Sequence, residues 1–508
     1  MGHPITCESD VLTEMYASGF AFGFCYSILQ SKSAWYARRT LWNLGCIDSP
    51  AGVQGEPYVS MIRQAVGGTS TLRSTDISAH EAVGRSAVRK ASWRLLPLIA
   101  LGYGTAYMDR VNISFASLQM NRDLHFSATI YGLGAGLFFL SYSACEIPSN
   151  LLLLRFGARR WLSRIMLTWG VLAIAMMFVR TPVQFYVVRF FLGMAEAGFF
   201  PGVVFYLMQW FPPGMRARAV SRFYVSLPLS SVVMGLLAGA LLNLDGRLGL
   251  TGWQWLFLVE GLPAIVLGVV FLACVPDTPA QAEWLSRDEQ DWLLTQIRED
   301  AAAGGHKEDF GGALRDWRVW QLGLLSFCML GYTYAYTFSA PAILQKLTGF
   351  SVTNVGFLIA GMSVLASAGM ILNAIHSDCV RERHWHVIVP FLIITAGFLI
   401  GGVSSLPWLA VPALGAMVIS HSALQGPLLS IPAIFLKGSS AASGIAALNM
   451  IGMLGGFLGP YWMGVAKDLT GDYQRGLLTL TIPSFVAAAI MFAMRRSVDR
   501  ERNAVNAV

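Results

Sequence analysis

The stretch WQWLFLVEGLPAIVLGVVFLACV, residues 253–275, carries a single charged residue, Glu260. As an α-helix it would extend about 35 Å at ~1.5 Å per residue, enough to cross the roughly 30 Å hydrocarbon layer of a bilayer. The composition then changes abruptly. Residues 276–316 are polar and charged, and Ser286-Arg287-Asp288-Glu289 has the spacing of a capping box that opens a surface helix. Outward from this junction, about twelve apolar stretches of spanning length follow one another. They run roughly 94–118, 129–154, 161–180, 183–211, 217–243 and 253–275, then 317–345, 352–375, 387–405, 408–436, 440–466 and 475–495. Most connections are short, so neighbouring helices are expected to be antiparallel, and the long polar loop divides the set six and six. The expected fold is an all-α membrane protein of twelve transmembrane helices in two six-helix halves.

Composition supports the same class. The 508 residues are 13% charged and 55% hydrophobic, against about 25% charged in soluble domains, and the mean hydropathy is +0.54. The net charge of +7 does not form the patch that a nucleic-acid surface requires, so no nucleic-acid partner is expected. Seven cysteines include no Cys-x-x-Cys pair, which gives neither a disulfide framework nor a zinc signature. With a cytoplasmic N-terminus, the inner connections collect about fifteen lysines and arginines against about six outside. Arg155, Arg159, Arg160, Arg164, Arg216, Arg218, Arg222, Arg381, Arg383 and Lys437 are among them. Both termini are therefore expected in the cytoplasm, with the chain multi-pass in the cell membrane. The domain boundaries read 91–275 for the N-terminal half, 276–316 for the cytoplasmic central loop, 317–496 for the C-terminal half and 497–508 for the tail. Residues 1–90 fit none of this. Glu8, Asp10 and Glu14 precede the apolar Met15–Leu29 stretch, where a signal peptide wants positive charge. This region is expected to be a disordered extension or sequence upstream of the true start, for which Met61 is a candidate.

Several short segments carry more specific information. Span 1 has Tyr107-Met108-Asp109-Arg110-Val111-Asn112, and span 2 has Tyr142 followed by Glu146-Ile147-Pro148-Ser149-Asn150. Span 4 has Arg189-Phe190-Phe191-Leu192-Gly193-Met194-Ala195-Glu196 continuing through Gly198 and Pro201, and span 11 has Asn449 leading into Gly455-Gly456-Phe457-Leu458-Gly459-Pro460-Tyr461. Between spans 2 and 3 stands Arg155-Phe156-Gly157-Ala158-Arg159-Arg160, and between spans 8 and 9 stands His376-Ser377-Asp378-Cys379-Val380-Arg381-Glu382-Arg383. Together with the six-plus-six layout, these resemble the major facilitator superfamily. Within it they resemble the anion:cation symporter branch, whose members carry tartrate, phthalate, hydroxyphenylacetate, galactonate and related organic anions. The match covers about residues 88–500. It departs from the pattern at Leu154 and Cys379 in the basic loops, at Leu428-Leu429 ahead of Ile431-Pro432, and at Met453 in span 11.

Charged residues in the apolar spans cost roughly 2.5–3.5 kcal/mol each on insertion scales and are tolerated chiefly toward a bundle interior. Asp109 and Arg110 are chain neighbours, so they point about 100° apart: one can face a cavity while the other meets a neighbouring helix. Glu196 lies mid-span with Arg189 on the same face. The functional reading makes Asp109 and Glu196 proton-coupling groups, as the resemblance implies, and Arg110 the attractor of the anion. The structural reading makes them packing ion pairs. The resemblance further assigns Tyr107, Tyr142 and Asn449 to the substrate. Glu146 and Arg189 are candidates for a gate or packing network, with Glu260 a weaker coupling candidate. Tyr332, Tyr334 and Tyr336 alternate along span 7, so no helical face holds all three. His421 in span 10 is either a buried packing histidine or a substrate contact. Gly132-Leu133-Gly134-Ala135-Gly136 reads as close helix packing, and His384-Trp385-His386 lacks an evident third metal ligand.

The expected function is a secondary active transporter that imports a small organic carboxylate (a sugar acid, dicarboxylate or aromatic acid) by proton symport with alternating access. The alternatives are sodium coupling or anion exchange on the same fold, and more remotely a non-transporting sensor. No enzyme activity, metal or cofactor is expected beyond a coupling proton, and relatives with these motifs function as monomers.

Overall fold

The computed structural model describes the backbone of residues 56–224, 226–303, 315–380, 382–432 and 439–506, and among these it contains no β-strand. The chain runs α1 (Glu56–Asp123), α2 (Ala128–Phe156), α3 (Ala158–Ala175), α4 (Pro182–Glu196), α5 (Phe199–Met208), α6 (Pro213–Tyr224), α7 (Ser226–Leu242) and α8 (Gly252–Cys274). After the central-loop helix α9 (Arg287–Ala303) come α10 (Trp317–Thr348), α11 (Val352–Val380), α12 (Trp385–Val403), α13 (Pro407–Leu429), α14 (Ser439–Thr470) and α15 (Tyr473–Asn506). Among the described residues, nine spans are long and apolar enough to cross a bilayer. The other three expected stretches are also helical, within α1, α7 and α10, but are shorter or less apolar. The buried apolar residues fall into two clusters, one on each side of the central loop, with Phe338 and Met453 the members that the second half lends to the first.

The fourth expected span is two helices, not one. Ala197 leaves helical geometry and Gly198 sits at φ +84. Pro201 accounts for the break: its ring clashes with the carbonyl four residues earlier, which is that of Ala197. Glycine at 198 supplies the left-handed turn that an ordinary residue resists, and a Cβ there would lie 2.4 Å from Ser149 Oγ. The chain therefore breaks directly after Glu196.

Alternating chain direction places the turns at 124–127, 243–251, 349–351 and 471–472 at one end and the central loop at the other. The halves meet most closely toward the end remote from that loop. A Cβ on Gly132 would come 2.3 Å from Pro460 O, on Gly136 2.5 Å from Phe457 O, and on Gly356 2.1 Å from Gly235 O. Small residues let these backbones touch, as the Gly132–Gly136 pattern led us to expect. Asn243 Nδ2 donates to Thr353 Oγ1 at 2.9 Å. Asp468 accepts from the amides of Ala128 and Thr129 at 3.1 and 2.8 Å, setting a carboxylate against the positive end of α2.

At the opposite end the central loop is fastened to the N-terminal half. The amide of Arg159 donates to Asp277 Oδ1 at 2.7 Å. Asp277 thereby caps α3, whose own N-cap is the side-chain-free Gly157, while Leu154, in the usual acidic place of this loop, is exposed. The capping box opening α9 is formed: Ser286 N donates to Glu289 Oε2 at 2.9 Å and Glu289 N to Ser286 Oγ at 3.3 Å. Residues 80–90 correct one expectation. They were grouped with a disordered extension, yet they continue α1 and pack on α9. Lys90 Nζ reaches Glu289 Oε2 at 2.8 Å, and Trp292 Nε1 donates to His80 Nδ1 at 3.1 Å. Gly84 makes room for the Trp292 ring, and Arg216 pairs with Asp300 at 2.7 Å. The helical propagation of α1 past residue 94 supplies that contact. Residues 56–79 of the expected extension are helical too, as the start of α1, and residues 1–55 lie outside the described residues.

Burial alone would push the Glu289 carboxyl up, but hydrogen bonds from Lys90 and from the Ser286 amide outweigh it and hold it down at about 2. A carboxylate depressed on folding contributes stability above its unfolded pKa, lost as pH falls through the folded value. Lys90→Met is therefore expected to lower the melting temperature by a constant amount from pH 8 to 5. That difference should shrink as pH falls through about 4.3, where an unperturbed glutamate is half protonated. Melting curves of both proteins across this range check it.

Candidate functional site

Asp109 and Arg110 occupy the middle of the transmembrane part of α1, and the 100° between them is used as the helix geometry allows. Arg110 reaches across to α4 and forms an ion pair with Glu196 Oε1. Its guanidinium lies 5.3 and 5.4 Å from the ring centroids of Phe138 and Tyr142 on α2, a cation–π arrangement suited to a dry interior. The Arg110 side chain retains 15% exposure against 1% for Glu196, so the arginine is the member of the pair nearer open space. Asp109 turns the other way, accepts from Asn112 Nδ2 at 3.3 Å and is buried.

Arg189, expected near Glu196, is fully buried but does not hydrogen-bond to it. Its guanidinium stacks 4.9 Å from the Phe138 centroid and donates to Ala135 O at 3.4 Å. It interacts electrostatically with Asp109 and Glu196 from behind that ring. Glu260 on α8 is also buried, close enough to Asp109 and Asn112 to interact with both, and neither of its oxygens has a hydrogen-bond partner among the described residues. Three carboxylates thus gather around two guanidinium groups in the N-terminal half, with a fourth, Glu146 of α2, within reach of Arg110. Sequence reasoning ranked Glu260 low; its one usable signal was being the lone charge in residues 253–275.

Glu146 and Asn449 meet across the interface of the halves, where Asn449 Nδ2 donates to both carboxylate oxygens at 3.0 and 2.9 Å. The amide expected at the substrate is occupied by Glu146, and the contact links α2 to α14 on the central-loop side of the close glycine packing. Tyr142 is buried against Arg110 and Phe138.

Beside the charged cluster, α1, α7, α10, α11 and α13 enclose a cavity of about 230 Å³. Tyr107, Val111 and Ser114 present one face of α1 to it, and Arg110 borders that face by helical rotation. Of the span-7 tyrosines, Tyr332 and Tyr336 line it, while Tyr334 packs on Phe139 with ring centroids 4.1 Å apart. His421 lines it as well, with Gln425 one turn further on. Gln425 was missed, although a polar amide four residues from a histidine in an apolar span was a readable signal. His386 meets His376 Nδ1 at 2.7 Å and Glu382 at 2.8 Å, but among the described residues no three His, Cys, Asp or Glu side chains are placed to hold a metal.

Two helical halves around a cavity, with charges buried beside it at mid-span, define a polytopic membrane carrier. The comparisons agree. The sequence profile of the Major Facilitator Superfamily matches residues 99–460, and the chain belongs to that superfamily. It is 43% identical over 411 residues to a putative tartrate transporter of Agrobacterium vitis, covering 81% of this chain and 95% of that one. It is 42% identical over 393 residues to the putative metabolite transport protein NicT of Pseudomonas putida, covering 76% and 90%. The expected kinship with tartrate-type carriers is borne out, and the protein is a transporter. Among solved structures, a bacterial homologue of the human lysosomal transporter Spinster, in an inward-facing and unoccupied conformation, superposes with a TM-score of 0.66 at 18% identity, over 81% of this chain and 98% of that one.

The ion pair makes a prediction. Removing one member of a buried pair leaves an uncompensated charge, at a cost of about 3–5 kcal/mol. Arg110→Met should lower thermal stability by that amount. The double substitution Arg110→Met/Glu196→Leu should recover most of it without restoring transport. Melting and uptake measured on both variants test this.

Proposed function

We propose that this transporter imports a small organic carboxylate together with protons, with Asp109 and Glu196 as the proton-binding groups and Arg110 as the anchor of the anion. The observation that carries the reading is the charge balance around α1: among the described residues Asp109, Glu196, Glu260 and Glu146 gather about Arg110 and Arg189. Carboxylates outnumber the guanidinium groups, which is the arrangement a proton-binding site needs. The coupling follows from competition. A buried guanidinium needs one anion beside it, and Arg110 has Glu196. A substrate carboxylate takes that place when Glu196 accepts a proton, so anion entry and protonation proceed together.

Electrical work favours such coupling. Each charge moved across about 100 mV is worth about 2.3 kcal/mol. A monoanion entering a negative cell works against that amount, one proton cancels it, and two make uptake electrically favourable. Tyr107 contributes the α1 wall of the cavity, Tyr142 keeps Arg110 oriented, and the Glu146–Asn449 contact acts as a gate that opens and re-forms as the halves rock. The central loop and both termini face the cytoplasm in the cell membrane, and one chain makes the complete pathway.

Purified protein in sodium-free proteoliposomes, given an acid panel that includes tartrate, tests the proposal. An imposed inward proton gradient is expected to accumulate one acid at least tenfold over vesicles without the gradient. Asp109→Asn and Glu196→Gln are expected to abolish that accumulation. Accumulation driven only by sodium, or unaffected by both substitutions, overturns it.

A further inference from the structure

We infer that the cavity between α10, α11 and α13 selects an aromatic monocarboxylate bearing a polar ring substituent, with Tyr332, Tyr336, His421 and Gln425 reading the substituent. The inference rests on the transport reading above, but it concerns equilibrium binding, which needs no gradient.

Charge comes first. None of the described residues lining the cavity is charged, and Arg110 at its border is the only guanidinium that flanks the lining face of α1. A second carboxylate on the ligand would be buried against a neutral wall, which is costly for an unpaired anion. One carboxylate fits; two do not.

Hydrogen-bond supply comes second. Ten hydroxyl-bearing residues stand in the wall, and five of them, Ser231 with Leu227 O at 3.4 Å included, have given their single hydrogen to their own helix. Ser114 donates to Val111 O at 2.7 Å, Thr333 to Met329 O at 2.6 Å, Ser363 to Ile359 O at 2.9 Å and Ser367 to Ser363 O at 2.8 Å. What these residues present to a ligand is methylene, methyl and a spare lone pair. Between them stand Phe115, Met234, Met362, Met370, Met417 and Ile359, a lining that suits a flat apolar body. A polyhydroxylated acid would set several of its hydroxyls against methylene, methyl and thioether over much of that surface.

The exception is at one end. His421 Nδ1 lies 3.2 Å from Tyr332 Oη and 3.4 Å from Thr333 Oγ1. Thr333 has spent its hydrogen on Met329, so toward the imidazole it can only accept, which assigns the hydrogen to Nδ1. Nε2 then accepts from the Gln425 amide, 3.3 Å away, and the Tyr332 hydroxyl hydrogen is shared between Thr333 Oγ1 and a ligand. Tyr336 Oη, one turn along the same face, has no partner among the described residues. This polar end is neutral throughout, so it recognises a ring hydroxyl and not a second anion. A volume of about 230 Å³ is below the roughly 300–1,000 Å³ of pockets for drug-sized ligands, as a single-ring acid requires.

The test is calorimetric binding to the full chain in nanodiscs, with 4-hydroxybenzoate, benzoate, L-tartrate and succinate as probes. 4-Hydroxybenzoate is expected to bind about tenfold more tightly than benzoate, the scale of one buried hydrogen-bonding group, and both dicarboxylates more weakly than benzoate. Tyr336→Phe removes only a hydroxyl that has no hydrogen-bond partner among the described residues, so its fold is kept. In it, and in His421→Leu, the preference for 4-hydroxybenzoate should fall toward unity while benzoate affinity stays. Tartrate or succinate binding more tightly than the aromatic acids overturns the inference, as does binding of none of the four, or unchanged discrimination in both variants. Proton-driven tartrate uptake would sink this inference and leave the transport reading intact; aromatic binding without proton-driven flux would do the reverse.

Discussion

The Arg110–Glu196 ion pair joins the first and fourth spans at mid-span, with Glu196 buried and Arg110 keeping 15% exposure toward the cavity side. An isolated ion at that depth is expensive, so whatever surrounds the pair must supply compensating charge, dipoles or rings. Phe138 and Tyr142 cover the guanidinium, Arg189 stands behind Phe138, and Asp109 and Glu260 complete the group from α1 and α8. The chain break immediately after Glu196 belongs to the same set of constraints. Pro201 and Gly198 end α4 at the carboxylate and let α5 start in a new direction, against Ser149 of α2. Interrupted helices at membrane depth are tolerated where protein encloses them and are a recurrent feature of transporter binding sites. Here the interruption adjoins the charge that coupling needs.

Transport requires that the halves move relative to each other, and their interface is built unevenly. Toward the end remote from the central loop, glycines bring backbones into contact at Gly132, Gly136, Gly235 and Gly356, with Asp468 closing on the start of α2. Toward the other end, among the described residues, Glu146 and Asn449 hydrogen-bond across the halves. Backbone-to-backbone packing is stiff, whereas one shared amide and carboxylate can part with modest loss. Among the described residues, side chains from Asp277 to Asp300 of the central loop grip the N-terminal half, while Asp316 at its far end caps α10.

Apolar periodicity made the spans and their division into six and six legible, because bilayer thickness fixes helix length independently of tertiary detail. Asp109, Arg110 and Glu196 stood out for the same reason: charge in an apolar run has few explanations. What could not be read was which charge pairs with which. Spacing within a helix placed Arg189 on the face of Glu196, but the partner is Arg110 from another helix, and only packing decides that. Asn449 was visible as a polar group wanting a partner, and the partner proved to be Glu146. Gln425 and Glu260 each carried one local signal, but their partners, His421 and the Asp109–Asn112 pair, come only from packing. Residues 80–90 looked like an extension because they are polar; their helical continuity with α1 and the docking surface on α9 lie beyond local pattern. The break at Ala197 could have been anticipated from Pro201, four positions on.

The central claim is that Asp109 is a proton carrier and not a packing carboxylate. Equilibrium exchange measures it most directly: Asp109→Asn in proteoliposomes with the same acid on both sides and no gradient of any kind. A neutral asparagine mimics the protonated state, so the account predicts that labelled acid exchanges at near the unmutated rate while proton-driven accumulation is lost. Loss of exchange and accumulation together, or retention of both, would contradict it.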